Sequence, residues 1–143
     1  MLAEIITIGD EILIGQITDT NSTWLASQLN SMGISVIRKT SIGDHATEIL
    51  QNLDECSNRS DLILVTGGLG PTRDDITKQT VAKFFNCPIE INETELEHIT
   101  RYFLGRGIKQ LSETNRTQAM LPTACIPIRN EIGTAPGMWF EKV

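Results

Sequence analysis

Long apolar runs are missing from this sequence of 143 residues, and none approaches the ~20 residues that a membrane-spanning helix requires. The N-terminus also lacks a basic segment ahead of an apolar one, since Met1–Glu4 leads directly into a short apolar run. These features argue against a membrane span and against an export signal. We therefore expect a cytoplasmic protein with no membrane partner.

Cysteine is scarce, and the three residues, Cys56, Cys87 and Cys125, are widely spaced. They form neither a Cys-x-x-Cys pair nor a Cys/His ligand set, which argues against a zinc site. We expect these side chains to be small buried hydrophobic groups in a reducing compartment.

Basic charge is also in short supply, because 12 Lys and Arg face 18 Asp and Glu, for a net charge of −6. Arg38 and Lys39 form the only adjacent basic pair. Nucleic acids are bound largely through neutralisation of phosphates by Lys and Arg, so we predict no nucleic-acid partner. An acidic protein that binds a phosphorylated small molecule needs backbone N–H groups or a metal ion to offset the repulsion.

The sequence does contain an alternation of strand and helix patterns. Its order predicts right-handed parallel crossovers and a three-layer α/β/α sandwich with a mostly parallel sheet, in one domain spanning residues 1–143. Asp61–Thr66 is apolar on both faces, which is typical of a central strand covered by helices. The predicted strands are Ala3–Ile8, Ser35–Ile42, Asp61–Thr66, Ile126–Arg129 and Met138–Glu141, and the predicted helices are Asn21–Met32, Ala46–Ser57, Asp75–Phe85, Glu93–Leu104 and Ser112–Met120.

The segment between the first strand and the first helix is acidic. It contains the carboxylates and the amide of Asp10, Glu11, Asp19 and Asn21. Ligands of open parallel sheets gather at the carboxyl ends of the strands, and Mg²⁺ is often held there by one or two carboxylates plus substrate phosphates. The alternative is that Asp19, Thr20 or Asn21 only caps the following helix, and for Asn21 capping is at least as well supported as ligand contact.

A glycine-rich segment, Thr66–Thr77, follows the strand predicted to be central. Glycines let the backbone approach a ligand closely, and free N–H groups at a helix start can hold an anion. Asp74 and Asp75 suit a metal that bridges phosphate, or a donor group of a ribose or a pterin. The alternative is a tight turn followed by an acidic first helical turn. The segment matches neither the dinucleotide-binding fingerprint nor the P-loop.

Two other segments carry polar groups suited to a ligand. Asn130–Gly137 has the composition of a loop. Arg116, in the stretch Ser112–Gln118, is the best phosphate partner there because its planar guanidinium suits phosphate oxygens. Neither His45 nor His98 belongs to a nucleophilic arrangement; we expect His98 to be solvated and assign neither histidine a role.

Three separate motifs together resemble the N-terminal domain of the CinA (competence/damage-inducible) family, which is similar to molybdopterin-binding domains of the MoaB/Mog type. These motifs are Ile8–Ile17 with Asp19–Asn21, Thr66–Thr77, and Gly133–Gly137, and the resemblance covers essentially the whole chain in order. It implies a three-layer α/β/α fold with a mixed sheet and a ligand site made by these loops.

The resemblance further implies metal- and potassium-assisted hydrolysis of the pyrophosphate in ADP-ribose, with Mg²⁺ or a similar divalent ion. We expect Glu11, Asp19 and Asp74 to be metal ligands, and Asp74 and Glu11 to be catalytic. The remaining ligand-binding candidates are Gly67, Gly68, Gly70, Asp75, Thr77, Asn21, Arg116, Gly133, Thr134 and Gly137.

The alternative function is a non-catalytic module that binds molybdopterin or a nucleotide, as in proteins of molybdenum cofactor biosynthesis. The family domain continues through another strand, whereas this sequence ends at Val143, so we expect a domain truncated at its C-terminal end and without the nicotinamide mononucleotide deamidase domain. Truncation favours binding without catalysis.

We also expect a homo-oligomer, with a dimer preferred. Phe84-Phe85 and Tyr102–Leu104 carry more large apolar groups than two short helices can bury alone. The alternative is that these side chains pack into the core of their own domain.

Overall fold

The computed structural model describes residues 1–70, 76–108 and 110–141 of the chain. The chain divides into two compact units, an N-terminal unit, Met1–Gly68, and a C-terminal unit, Leu69–Val143. Each unit is a mixture of helices and strands, which confirms the α/β class predicted from the sequence.

A three-stranded parallel sheet forms the centre of the N-terminal unit. Its strands are β1 (Leu2–Ile8), β2 (Ser35–Ile42) and β3 (Leu62–Thr66), which confirms the three predicted strands to within one residue at each end. Their order is β2-β1-β3, so that Ile5 of β1 pairs with Lys39 on one side and Leu64 on the other. The central strand of this sheet is therefore β1, and the prediction that Asp61–Thr66 holds that place is wrong.

Helices cover both faces of this sheet. The N-terminal unit contains α1 (Asp10–Leu13), α2 (Thr20–Ser31) and α3 (Ala46–Ser57). Alternate residues of β1 point to opposite faces: Ala3 and Ile5 pack with Leu29 of α2, whereas Glu4 contacts Cys56 of α3. The unit thus has the three α/β/α layers that the sequence predicts.

The C-terminal unit contains three helices and two antiparallel strand pairs among its described residues. The helices are α4 (Thr77–Phe84), α5 (Glu93–Leu104) and α6 (Glu113–Arg116), and the strands are β4 (Ile89–Ile91), β5 (Met120–Pro122), β6 (Ile126–Ile128) and β7 (Gly137–Trp139). Strand β4 pairs with β5, and β6 with β7. Helix α5 begins where the Asn92 side chain accepts a hydrogen bond from the Glu95 N–H, a standard N-cap.

One predicted helix of this unit is wrong in its second half. The sequence predicts a helix over Ser112–Met120, but α6 ends at Arg116 and a single 3₁₀ turn follows over Thr117–Ala119. Met120 then enters β5, because its backbone pairs with Ile91 of β4. Long-range pairing overrides the local helical pattern here.

The cysteines and aromatic residues are partly as predicted. Cys56 is fully buried, whereas Cys87 and Cys125 are half-buried. Phe85 stacks on Phe140 with ring centroids 4.4 Å apart, so part of the predicted aromatic surface packs within its own unit. Among the helices of the described residues, none has the length and apolar character needed to cross a membrane.

Candidate functional site

The carboxyl ends of β1 and β2 are joined through a reciprocal pair of aspartates. The Asp10 N–H donates to Asp44 Oδ2 at 3.2 Å, and the Asp44 N–H donates to Asp10 Oδ1 at 3.3 Å. Each carboxylate thus satisfies a backbone donor that the end of a strand would otherwise leave unpaired. This arrangement fixes Asp10 at the strand end, where ligands of parallel sheets bind.

Two glutamates complete the acidic group at this edge. Glu48, in the first turn of α3, accepts the Gly43 N–H at 3.3 Å. The Glu11 carboxylate lies against Gly9, because a Cβ added to Gly9 would meet Glu11 Oε1 at 2.5 Å. We call these four side chains, Asp10, Glu11, Asp44 and Glu48, the acidic edge. Within the described residues, the Glu11 carboxylate accepts no hydrogen bond and forms no ion pair.

Asp19 has a structural task beside this edge. Its Oδ1 accepts the Ser22 N–H at 2.9 Å and caps α2, and its Oδ2 accepts the Thr7 hydroxyl at 2.8 Å. Burial opposes the charge, but the hydrogen bonds from Ser22 and Thr7 hold the pKa of Asp19 below its ordinary value. The capping alternative therefore holds for Asp19, whereas Asn21 lies exposed in the first turn of α2 and does not cap it.

The Gly67-Gly68 turn follows β3 and packs against the end of β1. Both residues have positive φ angles, 101° and 61°. A Cβ on Gly67 would lie 1.9 Å from the Ile8 carbonyl oxygen, so only glycine fits this position. The turn is thereby held next to Gly9, which immediately precedes Asp10 and Glu11 of the acidic edge. The missing side chain of Gly67 thus allows the turn to lie close to the backbone of β1.

The acidic edge offers oxygen ligands of the kind that Mg²⁺ takes, but few of them. No group of three or more His, Cys, Asp or Glu side chains that could hold a metal ion occurs in the described part of the chain. A Mg²⁺ ion bound to substrate phosphates needs only one or two protein carboxylates. Glu11, with Asp10 beside it, fits that requirement, whereas both oxygens of Asp19 already accept hydrogen bonds. The third predicted ligand, Asp74, lies outside the described residues, as does Asp75.

The other predicted ligand-binding residues belong to the C-terminal unit. Gly70 and Arg116 are exposed, and Arg116 is the last residue of α6. Thr77 is the first residue of α4 and is buried. The Gln118 side chain is buried too, and its Oε1 has no hydrogen-bond partner among the described residues.

The loop 130–137 contains Gly133 and Thr134 and ends at Gly137, the first residue of β7, and Asn130 organises it. Asn130 Oδ1 accepts the Ile132 N–H at 3.0 Å and the Gly133 N–H at 2.9 Å, while its Nδ2 donates to the Ala135 carbonyl at 3.0 Å. A short polar side chain that binds the backbone two and three residues ahead is a common way to fix a turn. The loop therefore has a defined conformation, set from within by one side chain.

A family model described as "Probable molybdopterin binding domain" matches residues 4–142 of the chain. The chain belongs to this family. It is 50% identical to a CinA-like protein of Cytophaga hutchinsonii over 97% of its own length, and 46% identical to a CinA-like protein of Flavobacterium psychrophilum over 99%. The chain spans about a third of the length of these curated relatives, 33% and 34%.

Two solved structures are also similar to this chain. The protein CinA of Thermoplasma acidophilum, described as of unknown function, is 35% identical, with a TM-score of 0.86 over 96% of this chain and 79% of that one. The tungsten cofactor synthesizing protein MoaB of Pyrococcus furiosus is 21% identical, with a TM-score of 0.58 over 91% of this chain and 74% of that one. At that identity the second similarity shows a shared fold alone. The resemblance to CinA and to the molybdopterin-binding domains is confirmed.

Three residues near the acidic edge and the loop 130–137 were not identified from the sequence. Asp44 and Glu48 could have been found by applying the rule of strand ends to β2 as well as to β1. His98 is not solvated as predicted: it is half-buried, and its Nε2 donates to the Asn130 carbonyl at 3.0 Å. Its four-residue spacing from Tyr102 places both on one face of α5, which was the available signal.

Proposed function

We propose that this member of the molybdopterin-binding domain family binds a pyrophosphate-containing nucleotide such as ADP-ribose and hydrolyses it with a divalent metal ion. The observation that carries the proposal is the Glu11 carboxylate, which lies against Gly9 at the end of β1 without a hydrogen-bond donor among the described residues. A charged group left without a protein partner at a strand end is suited to a ligand. The Gly67-Gly68 turn adjoins the same strand end.

In this proposal each residue of the N-terminal unit has a separate task. Glu11 and Asp10 hold the metal ion, and Asp19 keeps α2 and β1 in register beside them. When bound, the ion would supply Lewis-acid polarisation of the phosphoryl oxygens and would make a water molecule more acidic. Gly67 and Gly68 keep side chains away from the phosphates. In the C-terminal unit, Asp74 is a further candidate for metal ligation and catalysis, and Arg116 and the loop 130–137 are candidates for ligand binding. Potassium is expected to assist.

We predict that Glu11→Gln lowers metal-dependent release of AMP from ADP-ribose at least about tenfold, because it removes one of the few oxygen ligands of the metal. The assay is chromatography of AMP with Mg²⁺ or Mn²⁺, in K⁺ and in Na⁺ buffer. Glu97→Gln, an equal charge change at an exposed site on α5, is the matched control and should be neutral. Asp74→Ala should behave like Glu11→Gln. Absence of turnover by the unaltered chain, or turnover that ignores added metal, contradicts the proposal.

The family description favours a second candidate, a module that binds a molybdopterin-type pterin without catalysis. The Gln118 Oε1 atom is buried and has no partner in the part of the chain that the structure describes, and it is an acceptor of the kind that a pterin amino group would satisfy. Calorimetry with molybdopterin and with ADP-ribose separates the two candidates. Binding of the pterin alone, with no release of AMP, would replace the first candidate with the second.

The proposal of a homodimer also stands to be tested. Leu13, Ile14, Ile17 and Trp24 of the N-terminal unit are each at least half exposed, and apolar patches of this kind often mark contacts between subunits. We expect light scattering at micromolar concentration to give a mass near twice 15.8 kDa. Ile14→Glu, at the most exposed of these four positions, should shift the mass towards 15.8 kDa. A monomer for the unaltered chain rejects the dimer.

A further inference from the structure

Two side chains one turn apart on α5 donate to backbone carbonyls at the start of the loop 130–137. His98 Nε2 donates to the Asn130 carbonyl at 3.0 Å, and the Tyr102 hydroxyl donates to the Ile132 carbonyl at 3.2 Å. Residues four apart lie on the same face of a helix, so α5 presents two donors in a row to this segment.

A third contact on the same face precedes these two. Glu95 Oε1 lies 3.9 Å from Arg129 Nε, and the Glu95 side chain is buried. Glu95 is three residues before His98 and seven before Tyr102, the spacing of a continuous helical stripe. Arg129 immediately precedes the loop. The loop is therefore bound to α5 just before its first residue, at Arg129, and at the carbonyls of Asn130 and Ile132.

The two hydrogen bonds from α5 are made to backbone carbonyls of the loop and do not involve the side chain of Thr134. Asn130 uses its side chain to hold the N–H groups of Ile132 and Gly133. Thr134, by contrast, has no hydrogen-bond partner among the described residues. Two donors from α5 and the single acceptor Asn130 Oδ1, which takes two N–H groups, together fix the turn that precedes Thr134.

We propose that His98 and Tyr102 are positioning residues, which hold the loop 130–137 in the conformation that receives the ligand. The inference deepens the proposed function and rests on it for the loop's role in binding. Neither side chain has to touch the ligand. They fix the loop before the ligand binds, and this reduces the conformational entropy that the loop loses on binding.

Amide hydrogen exchange of the loop and binding of ADP-ribose by the full chain test the proposal together. Tyr102→Phe and His98→Leu each delete one donor, and we expect exchange of the Ile132 and Gly133 amides to accelerate roughly fivefold in each and about 30-fold in the double variant. The dissociation constant or KM for ADP-ribose should rise in parallel, while kcat changes less than twofold. His98→Gln can return an N–H donor near the position of Nε2 and should restore much of the protection. Arg101→Gln, at an exposed position of α5, is the control and should change neither quantity.

The possible outcomes separate this inference from the proposed function. Unchanged exchange in the double variant overturns the positioning role. Accelerated exchange with unchanged affinity also overturns it, because the loop's conformation would then not matter to the ligand. If the unaltered chain binds neither ADP-ribose nor molybdopterin but exchange accelerates as expected, the proposed function fails, and the control of the loop by α5 is supported. Tyr102→Phe keeps the ring and should fold, so that this arm remains informative if His98→Leu does not.

Discussion

Replacing Gly67 by alanine is expected to destabilise the N-terminal unit by roughly 3–5 kcal/mol, the largest loss that we expect from any glycine of the chain. The new Cβ would lie 1.9 Å from the Ile8 carbonyl oxygen, and a φ angle of 101° is unfavourable for any residue with a side chain. Relief of the clash requires the end of β3 to move away from the end of β1. Since whole domains are stable by about 5–15 kcal/mol, this loss is a large part of the total. Urea unfolding followed by circular dichroism measures it.

Gly33→Ala is the matched control for that experiment. Gly33 also has a positive φ angle, 75°, but a Cβ built there meets no atom within 4 Å. The free energy of unfolding of Gly33→Ala should fall only by the cost of placing alanine at a positive φ angle, about 1–2 kcal/mol. The difference between the two variants therefore isolates the steric contact with Ile8. Equal losses in both variants would show that Gly67 does not approach β1 as closely as the structure indicates.

Local patterns were sufficient to predict most elements of the fold but not their order in the sheet. The periods and end signals of the sequence predict β2, α3 and α5 with the residues that the structure gives them. They place the apolar strand Asp61–Thr66 in the centre, yet β1 is the central strand although it contains a charged residue, Glu4. Glu4 can be buried because Arg59, 55 residues later in the chain, neutralises it. An ion pair between residues so far apart in the sequence cannot be predicted from a hydrophobic pattern.

The candidate site was predictable to the extent that it depends on strand ends. Asp10 and Glu11 follow β1, and the rule that ligands gather at carboxyl ends identified them. The partner of Asp10, Asp44, follows β2, and its contact depends on the register of two parallel strands. Likewise, the sequence marks 130–137 as a loop but does not show that α5 lies beside it. Side-chain contacts between elements require the three-dimensional arrangement.

Replacing Arg59 by methionine is expected to cost about 3 kcal/mol at pH 7, because it leaves the Glu4 carboxylate buried and unpaired. Arg59 Nε and Nη2 donate to the two oxygens of Glu4 at 2.7 and 2.9 Å, a bidentate pair, and the Cys56 thiol donates to Oε2 at 3.2 Å. The Glu4 side chain is 1% exposed and that of Arg59 32%, so the expected loss lies at the lower end of values for buried pairs. Burial, reinforced by Glu4, raises the pKa of Cys56 to about 11, which keeps this thiol protonated as a donor.

The pH dependence of the loss distinguishes an unpaired charge from a simple loss of packing. In the unaltered chain, Arg59 holds the pKa of Glu4 below its ordinary value although burial opposes the charge. The stabilisation from this group is therefore present above the ordinary pKa of glutamate and is lost as pH falls through the lowered pKa of the folded state. In Arg59→Met the shift in the pKa of Glu4 has the opposite sign, because desolvation without a partner raises this pKa. The variant therefore regains stability relative to the unaltered chain as pH falls from 7 towards 4. Adding Glu4→Leu should recover most of the loss at pH 7, because an apolar pair can replace a buried ion pair at little cost. A loss in Arg59→Met that is constant from pH 4 to 7, or that persists in the double variant, would mean that Glu4 is not an isolated buried charge and that Arg59 acts through packing alone.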